Sequence, residues 1–171
     1  MKRPFPRRTY RSLGQAWADV QYMLQRRALI RSTMRREAGG LSPQFRERLM
    51  LAVTAVNECR YCAYFHLKVA DSVGLSEAEA RSMLDRRVDH CPAEEIPALL
   101  YAQHWAERDA QPEPAARDRL IETYGPAQAD RIELVLRVIR LGNLSGNSVD
   151  AVLYRLSGGR LGHQSQKGLT S

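Results

Sequence analysis

The chain has 171 residues with 44% hydrophobic and 26% charged side chains and a formal net charge of +7, a size and balance that suit one globular domain able to bury a core without staples. Three cysteines, an odd number, exclude the disulfide framework of a small secreted domain, and no stretch nears the ~20 apolar residues of a membrane span. The charge is uneven: residues 1–38 hold ten Lys or Arg against Asp19 and Glu37, or +8, which leaves −1 for residues 39–171.

The opening MKRPFPRRTY is basic but has no apolar run behind it, and Arg7-Arg8 lacks the hydrophobic stretch of a twin-arginine signal, so a soluble, cytoplasmic protein is expected. A first helix is lined by Arg26, Arg27, Arg31, Arg35 and Arg36, with Trp17, Val20, Leu24 and Ile30 placed to pack on the body or on a neighbouring subunit. The basic arm reads as a solvated face plus a loose tail. It has no helix-turn-helix or other base-reading element, so specific nucleic-acid binding is not expected.

After Gly39-Gly40, Ser42-Pro43 reads as N-cap and first position of a helix to about Asn57. A second helix holds Cys59 and Cys62 and stops near Gly74. Ser76 and Glu79 have capping-box spacing for a short helix through about Arg86. A loop with Asp89, His90 and Cys91 leads to a helix carrying Ile96, Leu99, Leu100 and Trp105, with Pro97 in its first turn. Pro114 opens a helix that Gly125 closes, Pro126 opens one carrying Ile132, Leu136 and Ile139, and a last helix runs from about Gly146 to Leu156. Strand signals are nearly absent. The expected fold is all-α, a single-domain bundle of about seven helices, with a basic arm and helix over 1–38, the helical domain over 39–160 and a polar tail over 161–171.

Chemistry concentrates in VNECRYCAYFH, residues 56–66. Residues three or four apart are neighbours on a helix, so Cys59 lies beside Cys62 and His66 sits one turn beyond. A helix start favours thiolate over thiol, and His66 adds a base, so the run reads as a redox pair able to form a disulfide. Two other readings stay open. Cys59, Cys62 and His66 are three zinc ligands in want of a fourth, for which Cys91 beside His90 is the candidate, and the cysteines are equally what a buried core contains. Covalent haem is excluded, because Ala63 stands where a histidine must follow the second cysteine. Just upstream, Glu47 adjoins the apolar stretch LMLAVTAV, with Leu51 and Thr54 on its helical face. A carboxylate held there has its pKa raised by desolvation and can exchange protons near neutrality; facing water beside Arg46 and Arg48 is the alternative. Glu58, adjoining Cys59, is the rival carboxylate.

The segment Leu41–Gly74 resembles the core of the alkyl hydroperoxidase D and carboxymuconolactone decarboxylase-like family, whose signature is a Glu followed twelve residues later by Cys-x-x-Cys-x-x-x-His; Glu47, Cys59, Cys62 and His66 occupy the four places. The resemblance implies a thiol peroxidase working without metal or other cofactor: Cys62 attacks the peroxide, Cys59 resolves the sulfenic acid to a disulfide, and His66 with Glu47 relays protons. It further implies a thiol reductant, with a lipoyl-bearing protein first to try, and a homo-oligomer, trimer or hexamer, with Tyr64 and Phe65 as candidate pocket residues. One departure stands out. The family's best-characterised hydroperoxidases have a second histidine next to the attacking cysteine, and here that residue is Tyr61, which cannot act as a base at neutral pH. Decarboxylases of the family characteristically lack the cysteine pair, and a decarboxylase-like or noncatalytic thiol sensor is the alternative function.

Overall fold

In the computed structural model, residues 5–34 and 40–162 are described, and they form eight helices and no strand. These are α1 (Leu13–Gln25), α2 (Arg27–Met34), α3 (Pro43–Asn57), α4 (Arg60–Ser72), α5 (Glu77–Leu84), α6 (Ile96–Glu107), α7 (Pro114–Tyr124) and α8 (Pro126–Leu156). The all-α expectation holds.

Helix α3 is the centre of the bundle, packed by α8, α6, α4 and α5. Its LMLAVTAV stretch is apolar around the whole helix rather than along one stripe, and only a helix surrounded by others can bury such a surface. Leu49, Leu51, Ala52 and Val53 are fully buried. Ser42 starts it as expected, its Oγ accepting the Phe45 N–H at 3.0 Å, with Pro43 in the first turn. Ser76 likewise caps α5 by accepting the Glu79 N–H at 3.1 Å. The Glu79 carboxylate is bound elsewhere, accepting from Arg48 Nε at 2.7 Å, while Arg48 Nη1 reaches Glu95 at 2.9 Å. One arginine of α3 therefore pins both α5 and the approach to α6.

Three expectations need correction. The two helices predicted from Pro126 onward are one continuous α8 of 31 residues, about 46 Å long at 1.5 Å per residue. Gly146 does not break it, and its missing side chain makes room for the Cys59 sulfur at the start of α4. At the other end the single arginine-lined helix is two, α1 and α2, separated at Arg26. Of the stripe given to that helix, Val20 and Ile30 are half-buried, while Trp17, 58% exposed, and Leu24, 61% exposed, do not pack on the body. What holds α1 is ionic, since buried Asp19 pairs with Arg140 and Arg137 of α8 and accepts from Tyr10 Oη.

Nor is the described part of the basic arm a loose tail. The side chain of Arg7 is 1% exposed, and the backbone around it is tied to α8: Asn147 Nδ2 donates to the Arg8 carbonyl at 2.9 Å, and the Tyr10 N–H to Ser148 Oγ at 3.4 Å. Arg35 and Arg36, and the polar tail from residue 163, lie outside the described residues. Among the described residues no helix is long and apolar enough to cross a membrane.

Candidate functional site

The site begins with a sharp corner between α3 and α4. Glu58 stops α3 by entering the left-handed region at φ 55°, with its N–H bonded to the Thr54 carbonyl at 2.8 Å. A non-glycine residue there is uncommon and costs roughly 1–2 kcal/mol. The corner lets Cys59 be the N-cap of α4, its Sγ accepting the Cys62 N–H at 3.4 Å. The two sulfurs are 2.8 Å apart as free thiols, the S–H of one pointing at the other. Cys59 is fully buried, whereas Cys62 is only partly so. Glu58, the rival carboxylate, thus serves as the hinge of the corner.

Glu47 is buried in the second turn of α3 and does not face water. Its Oε1 lies 2.7 Å from Nδ1 of His66, which is also buried. A ring Nδ1–H donating to the carboxylate fixes the tautomer and leaves Nε2 as the proton acceptor. His66 stands one turn after Cys62 on α4, so this geometry carries a proton-accepting ring to the neighbourhood of the partly exposed thiol. The structure thus brings the four signature residues together as two pairs, Glu47 with His66 and Cys59 with Cys62, linked by the one turn of α4 between Cys62 and His66.

The thiols differ electrostatically. The S–H of Cys62 donating to it is the main reason the Cys59 thiol is held down at about 7; burial opposes, and the N–H groups of Cys62 and Tyr61 and the positive charge of Arg7 assist. Cys62 goes the other way, raised by its hydrogen bond to Cys59, by burial and by the Cys59 charge. The sequence expectation made Cys62 the attacking thiol; the geometry makes Cys59 the buried N-cap sulfur and leaves solvent access to Cys62. Beside the Cys62 hydrogen bond, the N–H groups of the helix start that reach the N-cap sulfur favour its thiolate.

The opposite wall is α8, and here sequence reasoning missed functional positions. A Cβ on Gly146 would stand 3.1 Å from Cys59 Sγ and 3.3 Å from Cδ2 of Tyr61, so only glycine lets α8 approach this closely. Asn143, fully buried, donates from Nδ2 to Thr54 Oγ1, accepts from Asn57 Nδ2, and hydrogen-bonds Cys62 in the sense that favours its thiolate. Asn147 donates to the Asn57 carbonyl at 2.7 Å. The signal for all of them is Gly142-Asn143 repeated four residues on as Gly146-Asn147, one helical turn apart and so on one face.

Tyr61, in place of the family's second histidine, points its hydroxyl away from acid–base duty. It donates to Asp150 Oδ1 at 2.8 Å and accepts from Arg60 Nη2 at 2.7 Å. Arg60 binds both carboxylate oxygens of Asp150 at 2.9 Å and stacks on the Tyr61 ring at 4.5 Å, so it is neither a solvated arginine nor one turned onto the thiols. Tyr64 and Phe65 are 53% and 60% exposed and so are not core residues; Phe65 meets the His66 ring edge-on at 5.2 Å. Cys91 is buried under its loop, which pushes its thiol up to about 11, while His90 is exposed and pairs with Asp89. Among the described residues no three His, Cys, Asp or Glu side chains gather as a metal site, and His66 spends Nδ1 on Glu47.

A sequence model of the carboxymuconolactone decarboxylase family matches residues 21–108, which spans α3, α4 and the four signature residues. No curated protein and no solved structure gave a match. With half of its length matched and an all-helical fold, the chain belongs to the carboxymuconolactone decarboxylase family, which includes the alkyl hydroperoxidase D-like proteins.

Proposed function

We propose that the protein is a thiol peroxidase that reduces organic hydroperoxides or hydrogen peroxide at Cys62, with Cys59 as the resolving thiol. The observation that carries this reading is the 2.8 Å contact between Cys59, capping α4, and the more accessible Cys62, beside a buried His66–Glu47 pair. In the first step the Cys62 proton passes to His66, and the Cys62 sulfur attacks the terminal peroxide oxygen. The O–O bond breaks, Cys62 becomes a sulfenic acid, and the alkoxide leaves as alcohol after taking a proton from His66. Glu47 steadies the imidazolium that stands between these transfers.

In the second step the Cys59 thiolate attacks the Cys62 sulfur. The S–S bond forms, the S–O bond breaks, and the departing hydroxide is protonated to water. A dithiol then returns two electrons and two protons, and a dihydrolipoyl group on a carrier protein is the reductant to try first. The assignment of roles follows access, since a fully buried Cys59 cannot meet a substituted peroxide. The aromatic rings of Tyr64 and Phe65 on the exposed side of α4 suit an alkyl substituent. The exposed apolar residues of α4, together with Val149, Val152 and Leu156 of α8, support self-association of the chain in solution.

The test is a free-thiol count on the reduced protein before and after one equivalent of an organic hydroperoxide, with peptide mapping. Loss of two thiols joined as Cys59–Cys62, with Cys91 still free, is the expected result. Three persisting thiols would end the peroxidase reading in favour of the decarboxylase-like or noncatalytic alternatives.

A further inference from the structure

Arg7 lies in a segment that precedes residues 21–108, the part matched by the family, yet it is among the most completely buried arginines described. Its Nη2 donates to Asp150 Oδ2 at 2.8 Å and to the Gly162 carbonyl, and its Nη1 to Asn147 Oδ1 at 3.3 Å. Gly162 fits there only without a side chain, because a Cβ would stand 2.2 Å from the Asp150 carbonyl oxygen and φ is +72°. The guanidinium therefore joins the N-terminal segment, α8 and the chain beyond α8 at one point. Asn147 and Asp150 follow Gly146 within about one turn of α8, and Gly146 is the residue that touches the Cys59 sulfur.

Charge makes this more than an anchor. Asp150 is the carboxylate Arg7 binds, and its one negative charge is shared with Arg60 and the Tyr61 hydroxyl. Arg7 also keeps a buried N–H, at Nε, with no acceptor among the described residues. A buried guanidinium with only part of a counter-charge is costly and is stabilised by any further anion within reach. Against Cys59 stand Cys62 and the Tyr61 N–H from α4, Gly146 of α8 and the charge of Arg7, while Arg60 and Tyr61, the residues that follow Cys59, bind the same Asp150 carboxylate as Arg7; Glu58 precedes it at the corner.

We propose that Arg7 is a positioning residue of the thiol site: latched to Asp150 by the N-terminal segment, it supplies a fixed positive charge that stabilises the Cys59 thiolate. The charge adds to the N–H groups of the helix start, and burial keeps it from being screened. The inference rests on the thiol-peroxidase reading for its use in resolving Cys62, but the ionisation it describes exists without peroxide. A segment outside the family core thereby tunes the chemistry inside it.

The test is a pH titration of thiolate absorbance at 240 nm between pH 5 and 9 on the reduced full chain, where Cys91 remains protonated. Arg7→Gln is expected to raise the midpoint by about half a unit to one unit. Arg7→Lys keeps the charge but cannot fork between Asn147, Asp150 and Gly162, so it is expected to hold the wild-type midpoint while lowering the melting temperature. Arg8→Gln, which removes the same charge one residue along, is the control and is expected to leave the midpoint in place. An unmoved midpoint in Arg7→Gln, or a raised one in Arg7→Lys, overturns the proposal, and the lysine variant decides alone if the glutamine variant does not fold. Peroxide consumption is scored separately. A midpoint that moves as expected in a protein that consumes no peroxide leaves the Arg7 assignment standing and removes the peroxidase.

Discussion

Two walls enclose the cysteine pair, and they are built in different ways. The α3–α4 corner supplies the reacting groups from a short stretch of chain, Glu47 to His66, whose positions follow from helix periodicity and one left-handed residue. The facing wall, α8 with the N-terminal segment, supplies no acid, base or nucleophile of the proposed reaction; it supplies close approach, amides and charge, through contacts between residues about 90 to 140 apart in sequence. The comparison teaches that reactivity here is local and tuning is not. A change in the first wall should remove a chemical step, and a change in the second should move a rate or a midpoint.

The sharpest break of that contrast is at the sulfurs. Cys62→Ser is expected to reduce peroxide consumption to background, while Cys59→Ser still forms one sulfenic acid per chain and no intramolecular disulfide, as read by a dimedone-type trap and mass spectrometry. Full peroxide consumption by Cys62→Ser would reverse or remove the assigned roles. Next comes Glu47→Gln, which keeps the size of the group near His66 Nδ1 but loses its charge; general acid–base support of this kind is worth ~10²–10⁴-fold, and a loss of about 10- to 100-fold in the single-turnover oxidation rate is expected. An unchanged rate across pH would take Glu47 out of the relay.

On the second wall, Gly146→Ala places a methyl group 3.1 Å from Cys59 Sγ. Overpacking of this sort costs about 1–3 kcal/mol, so a lower melting temperature together with slower disulfide formation is expected, and an Ala variant with both unchanged would show that α8 yields freely. The smallest effect is on stability against pH. Cys59 ionises more easily folded than unfolded, at about 7 against an ordinary 9, so this thiolate adds stability that is fully present above the unfolded value and is lost as pH falls through about 7. Denaturant unfolding of the reduced protein should show stability rising from pH 7 to 9, and Cys59→Ser should flatten that rise.

How much of this was legible in the sequence depends on how far apart the partners lie. Ser42, Pro43 and Ser76 mark helix starts because a cap is an interaction across three residues, and the Glu47–Cys59–Cys62–His66 spacing carries the site because a helix turns those positions to predictable faces. Gly146 was misread as the start of a new helix for the same reason: glycine's local preference is against helix, but the sulfur packed against Gly146 comes from the start of α4. Trp17 and Leu24 show the same limit, since an apolar stripe signals a partner, the body or a neighbouring subunit, without saying which, and within the chain α1 is held by Asp19 on α8 arginines.

By itself, then, the sequence determined the all-α class and most helix starts, which are encoded by spacings shorter than about two helical turns, and it carried the longer Glu47–Cys59–Cys62–His66 pattern that spans α3 and α4. The tertiary structure alone decided that Cys59 is buried while Cys62 keeps solvent access, that Tyr61 is tied to Asp150 rather than serving the thiols, and that Arg7 is buried against Asp150. Those outcomes depend on burial and on which distant charges share a carboxylate, and a linear pattern contains neither until α8 and the N-terminal segment close over the corner.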